Sequence, residues 1–207
     1  MKKATLATLV LGALCNALPL GEIVSDNRKK DDRMLAYATY TANFEGRRDK
    51  TYDPNPRDNI DEPTIGVGHY LLRGDSREVF AKALPEVNFD RVMDKKEKLS
   101  EEQIDRLFAY DLPVYVKRAK SAVPAFDNLP VYVQTALVDM AYRGDLKGSP
   151  KTLSLINKGE WENASKEYLN SREYRKAVVN GEPGIRPRME SNSERLRQYG
   201  VELESRR

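Results

Sequence analysis

Glu45 and Asp53 stand eight residues apart in the stretch Phe44 to His69 (FEGRRDKTYDPNPRDNIDEPTIGVGH), which closes on the chain's one histidine. Two carboxyls in one short segment can divide acid–base work when their surroundings differ, one protonated as a donor and the other ionised. Glu45 extends a stripe of apolar or small residues at 34, 37, 38, 41 and 42, a helical 3–4 spacing, and Gly46 follows as a stop signal. An acid on the inward face of a helix end is costly unless it is paired or faces a wet cleft. A salt-bridged helix-end residue would account for that placement, and so would a working acid. Asp53 precedes the turn-rich Pro54-Asn55-Pro56, where exposure favours the ionised form.

These residues need a helix and a small sheet to hold them. The periodicity predicts a helix from Met34 to Glu45, preceded by a loose polar leader over 18–33. Lys50 to Asp53 reads as a short strand, and Thr64 to His69 as one bent strand whose glycines let its backbone lie close to something. Together they form a small antiparallel sheet. Asp75 or Ser76 starts a short helix to about Leu84. Ser100, followed by Glu101-Glu102-Gln103, is a capping-box start, and Ile104, Leu107, Phe108 and Asp111 share one face of the helix that follows. Pro113 is expected to kink or break it.

The remainder is helical. The most buried helix follows Asp127, with Val133, Ala136, Leu137, Met140 and Ala141 inward and Gly144 at its end. Ser149-Pro150 opens another, bearing Leu153 and Ile156. Gly159 separates it from a helix carrying Trp161, Ala164 and Tyr168, and Arg186-Pro187-Arg188 opens a last helix towards Tyr199. The fold class is α+β, one catalytic domain over 34–207 with a sheet lobe at about 44–99 and a helical lobe at about 100–207.

At 207 residues and 40% hydrophobic, the chain can bury a core, and its charged fraction of 32% argues against wholesale disorder. Met1-Lys2-Lys3, the apolar run Ala4 to Leu20 and the small-x-small pattern Cys15-Asn16-Ala17 read as a secretory signal peptide over 1–17. The run is short for a membrane anchor and interrupted by Asn16 and Pro19. Cleavage predicts a secreted protein, periplasmic if the source is bacterial, with no stable membrane association. It removes two lysines, so the formal charge falls from +3 to +1. That charge gives no support to nucleic-acid binding. The one cysteine leaves too, which excludes disulfides, and one histidine cannot build a metal cluster. No cofactor or phosphate-cradling loop is expected, because Gly66-Val67-Gly68 lacks the rest of that pattern. Asn163-Ala164-Ser165 is a glycosylation sequon, usable in a eukaryotic secretory route.

Glu45-Gly46, Tyr52-Asp53 and Thr64-Ile65-Gly66-Val67-Gly68-His69, in this order, resemble the phage-type lysozymes of the T-even bacteriophage kind, glycoside hydrolase family twenty-four. Leu99-Ser100-Glu101-Glu102 through Asp111 resembles the helix joining that family's two lobes, and FDNLPVYVQTALVDM resembles its central buried helix. Thr152-Leu153, Gly159-Glu160-Trp161 and Ser171-Arg172-Glu173-Tyr174 also fall in family order. The resemblance covers about 34–200. It implies a two-lobed lysozyme-like fold and a bacterial peptidoglycan substrate, cut at the β-1,4 bond between N-acetylmuramic acid and N-acetylglucosamine. It implies Glu45 as general acid, Asp53 and Thr64 holding the attacking water, and His69 paired with Asp111. It also implies an arginine at the start of the late helix serving the acid, Arg188 first and Arg186 second.

The chemistry suits these assignments. Acetal cleavage needs a proton for the leaving oxygen and stabilisation of an oxocarbenium-like centre. A water held by Asp53 and the Thr64 hydroxyl would attack the opposite face of the sugar and invert its configuration. Tyr52, Tyr142, Lys151 and Thr152 could line the sugar groove, although core packing accounts equally well for the tyrosines. Ten residues separate Asp53 from Thr64, more than the family's tight hairpin, and Asp58, Asp61 and Glu62 in that loop could crowd the cleft. Arg143-Gly144 replaces a polar uncharged residue before the family's glycine. The expected protein is a monomeric muramidase of antibacterial defence, digestion or cell lysis. The competing readings are a glycosidase redirected to a polymer such as chitin and a non-catalytic wall-binding protein.

Overall fold

The computed structural model describes residues 23–54, 60–180 and 184–206; the expected signal peptide and loop residues 55–59, Asp58 among them, lie outside these. The described residues are mostly helical with one three-stranded antiparallel sheet, the expected α+β class. The chain divides into two compact units, the first ending at Pro113 and the second starting at Val114.

The first unit opens with α1 (Ile23–Phe44). It starts eleven residues before the predicted Met34, inside the segment read as a loose leader. The lysines and arginines there are good helix formers, and no glycine or proline interrupts them. The predicted stripe is inward: Met34, Tyr37, Ala38 and Thr41 are buried. The sheet has the order β1 (Arg48–Tyr52), β2 (Thr64–Gly66), β3 (His69–Tyr70). The sequence suggested one bent strand over 64–69; the chain instead folds back on itself, pairing Ile65 with His69. Gly66 and Gly68, at φ +67° and +86°, occupy the left-handed backbone region that this reversal requires.

Two short helices, α2 (Ser76–Ala83) and α3 (Phe89–Met93), lead to the long α4 (Glu101–Ala122). The capping box at its start is formed: Ser100 N donates to Gln103 Oε1 at 2.8 Å and Gln103 N to Ser100 Oγ at 3.2 Å. The helix is not broken at Pro113. The ring removes one donor from the helical ladder, and burial of Leu112 and Val116 on either side holds the helix through it. The unit boundary falls within this helix rather than ahead of it. Ile104, Leu107 and Phe108 are buried with Ile65, Val67, Phe80 and Val92, so the first turns of α4 belong to the core beside the sheet.

The second unit is helical: α5 (Val131–Arg143), α6 (Asp145–Gly148), α7 (Pro150–Asn157), α8 (Trp161–Leu169), α9 (Arg172–Asn180) and α10 (Ile185–Glu204). Every residue of α5 from Val133 to Ala141 is buried, and Gly144 caps it at φ +84°. α10 packs on α8 and α5. At the first of these contacts Gly200 fits against Glu162 and Trp161 so closely that a Cβ there would lie 2.7 Å from Glu162 Cγ.

Candidate active site

In the first unit, Glu45 is the residue after α1, half-buried, with its amide still donating to Thr41 O at 3.2 Å. The helix therefore carries the acid to its end, and the chain turns towards β1 immediately after it. Tyr52 ends β1 and pairs across the sheet with Thr64. Asp53 is the next residue, so the sheet register brings Asp53 and Thr64 to neighbouring positions at the mouth of the long loop. Burial raises the pKa of the Tyr52 phenol, and the negative charge of Glu45 raises it further. The Arg48 guanidinium stands 5.7 Å from the Tyr52 ring centroid.

Thr64 is buried, and its hydroxyl donates to Glu62 O at 2.9 Å. With its proton committed there, the oxygen's remaining capacity is as an acceptor. That is the role needed to hold a water by one of the water's own hydrogens. Asp53, half-buried at the end of β1, is an acceptor when ionised.

His69 and Asp111 meet in the interior. His69 Nδ1 lies 2.6 Å from Asp111 Oδ2 and Nε2 2.8 Å from Ser76 Oγ, and the imidazole stacks edge-on against Phe80. The other Asp111 oxygen accepts from Arg73 Nη2 at 2.8 Å, and Arg73 also donates to Asp75. Burial works against the Arg73 charge, yet the carboxylates of Asp111 and Asp75 raise its pKa above the ordinary arginine value. Both ring nitrogens of His69 are engaged, which makes it a tie between β3, α2 and α4. Arg73 and Ser76 were not singled out from the sequence, because nothing in their spacing distinguishes them from surface residues.

In the second unit, Arg188 is 3% exposed and grips Asp139 by its fork, Nη2 to Oδ1 at 2.7 Å and Nε to Oδ2 at 2.9 Å. Asn192 donates to Asp139 Oδ2 at 2.7 Å. Arg186 is exposed and pairs with Glu190 on its own helix at 2.8 Å. Asp139 was missed, but a signal existed: an acid midway along the most apolar helix, where only a buried cation could compensate it. Tyr142 is half-buried, its ring 4.4 Å from that of Tyr115. Lys151 is exposed and Thr152 buried. Arg143, the departure noted in the sequence, donates to Asp145 at 3.1 Å and to Glu173. It borders a cavity of about 310 Å³ within this unit that is also lined by Ser149, Ser171 and Arg172.

A three-stranded sheet unit and a helical unit that share one long helix define the lysozyme-like α+β class. A family model described as phage lysozyme matches residues 42–191, and the chain belongs to that family. It is accordingly a lysozyme-type glycoside hydrolase acting on peptidoglycan. No curated protein matches the chain.

Proposed function

We propose that this lysozyme cleaves the β-1,4 bond between N-acetylmuramic acid and N-acetylglucosamine, with Glu45 protonating the leaving oxygen and Asp53 and Thr64 holding the attacking water. The observations that support this reading are the Tyr52–Thr64 register, which makes Asp53 the next residue after the cross-strand partner of Thr64, and the Thr64 hydroxyl, whose proton is donated to Glu62 O. Both side chains then accept from one water, and proton loss to Asp53 leaves a nucleophile. Attack from the face opposite the departing oxygen inverts the anomeric carbon, a geometry that calls for carboxyls roughly 6.5–9.5 Å apart. Tyr52 serves as a saccharide contact.

Secretion through cleavage after Ala17 accompanies this reading, and the protein acts as a monomer on the bacterial wall, in defence, digestion or lysis. Proton NMR of the newly formed reducing sugars tests the mechanism. Initial release of the α-anomer from a β-linked substrate supports inversion, and initial release of the β-anomer refutes it. N-terminal sequencing of the exported protein tests the cleavage site.

A further inference from the structure

Asp105 is buried on α4 between Ile104 and Leu107, a place where a carboxylate is costly unless compensated. Its partner comes from the three-residue connection between α1 and β1, Glu45 to Arg47. Arg47 Nη2 donates to Asp105 Oδ1 at 2.7 Å, Nε donates to Glu101 Oε2 at 3.1 Å, and Nη2 also reaches Glu101 O at 3.4 Å. One arginine thus spans two acids a helical turn apart on α4, through charge-assisted hydrogen bonds. Arg47 is two residues after Glu45 and six before Asp53. The segment between the two carboxyls is also tied by Leu99 N to Asp49 O at 2.9 Å, by Thr51 Oγ1 to Val92 O at 2.7 Å and by an exposed Lys98–Asp49 ion pair at 2.9 Å. Those contacts secure β1. The Arg47 contact lies ahead of them, at the exit from Glu45, where Gly46 offers little steric restraint.

We infer that Asp105 is a positioning residue for hydrolysis: by holding Arg47 it fixes how the chain leaves Glu45 and so the separation of Glu45 from Asp53. This rests on the assignment of those two carboxyls made above. An inverting reaction depends on that separation, and a displacement of about 1 Å at a reacting group can cost on the order of 10²-fold in rate. Asp105 touches neither substrate nor water, so its loss should lower kcat and leave KM and the fold in place.

The test is steady-state hydrolysis of soluble peptidoglycan fragments by the full chain. Asp105→Asn is expected to reduce kcat by at least about tenfold with KM within about twofold. A second variant, Arg47→Met with Asp105→Leu, removes both charges together, a replacement that is often neutral or stabilising for a buried pair. It should show the same loss of kcat with thermal stability at or above that of the wild type, which separates positioning from stability. Arg47→Lys, which keeps one cationic contact, should recover part of the rate. Wild-type kcat in the folded double variant, with Glu45→Gln inactive, overturns the role of Asp105 alone. Wild-type kcat in Glu45→Gln overturns the carboxyl assignment and this inference with it.

Discussion

His69 Nδ1 lies 2.6 Å from Asp111 Oδ2, and neither side chain is more than 2% exposed. Asp111 also accepts from Arg73, so one carboxylate on α4 holds both β3 and the turn that follows it. Removing it strands two donors. Asp111→Ala should destabilise the protein by about 3 kcal/mol, the scale for breaking a buried charged pair. Ser76→Ala, which removes one neutral partner of His69, should cost about 1 kcal/mol. Urea unfolding at neutral pH checks both, and equal effects would show that the charge on Asp111 contributes nothing.

Tyr168 makes stability fall in alkali. Burial and the Asp145 carboxylate, which accepts its hydroxyl hydrogen, raise its pKa well above the ordinary value. Below a pH of about 10 both folded and unfolded chains keep this proton, and the interaction is fully present. Above it the unfolded chain releases a proton that the folded chain retains. Stability should therefore drop by about 1.4 kcal/mol per pH unit from this one group until its folded pKa is reached. Unfolding free energies measured above about pH 10 should steepen by that slope, and Tyr168→Phe should remove this group's share while Tyr52, Tyr132 and Tyr174, whose pKa values are also raised, keep theirs.

Gly200 is required by packing rather than by backbone conformation. A Cβ would stand 2.7 Å from Glu162 Cγ and 3.1 Å from the Glu162 backbone nitrogen. Alanine is the better helix former by about 1 kcal/mol, but overpacking typically costs about 1–3 kcal/mol. Gly200→Ala should therefore leave the protein no more stable, and more often about 1–2 kcal/mol less stable, in a denaturant titration. A clear gain in stability would show that α8 and α10 separate at no cost.

What the sequence reveals depends on whether a signal is local. The capping box at Ser100 and Gln103, the αL end of α5 at Gly144 and the buried stripe of α1 are local, and each occurs where its residues indicate. Gly66 and Gly68 suggested close backbone approach, but alternation alone could not separate a bent strand from two strands reversing between them. α9 is hard to see in the sequence because Arg172–Asn180 is short and predominantly polar, so its apolar side is only a few residues wide. Long-range pairs were the least legible. Arg47 and Asp105 are fifty-eight residues apart, and Arg188 and Asp139 forty-nine, so neither partner announces the other in the sequence. The family motif carried the Glu45, Asp53 and Thr64 assignments and the His69–Asp111 pair, whereas Arg47, Asp105, Arg73 and Asp139 emerged with the fold.

Asp53→Asn keeps the side chain's size and removes its capacity to take a proton from water. Turnover on peptidoglycan should fall by about 10²–10⁴-fold while affinity for saccharide fragments changes little. Isothermal titration with a non-hydrolysed oligosaccharide, beside rate measurements, separates the two. A parallel loss of binding would make Asp53 a substrate contact instead.

Glu45→Gln bears on the central claim most directly. Purified protein comprising residues 18–207, incubated with peptidoglycan, should release new reducing ends at N-acetylmuramic acid. The folded Glu45→Gln variant should release them slower by about 10²–10⁴-fold, because its amide is not acidic enough to protonate the leaving oxygen. Lysis by that variant at the wild-type rate, or new reducing ends at N-acetylglucosamine from the native protein, would contradict the account.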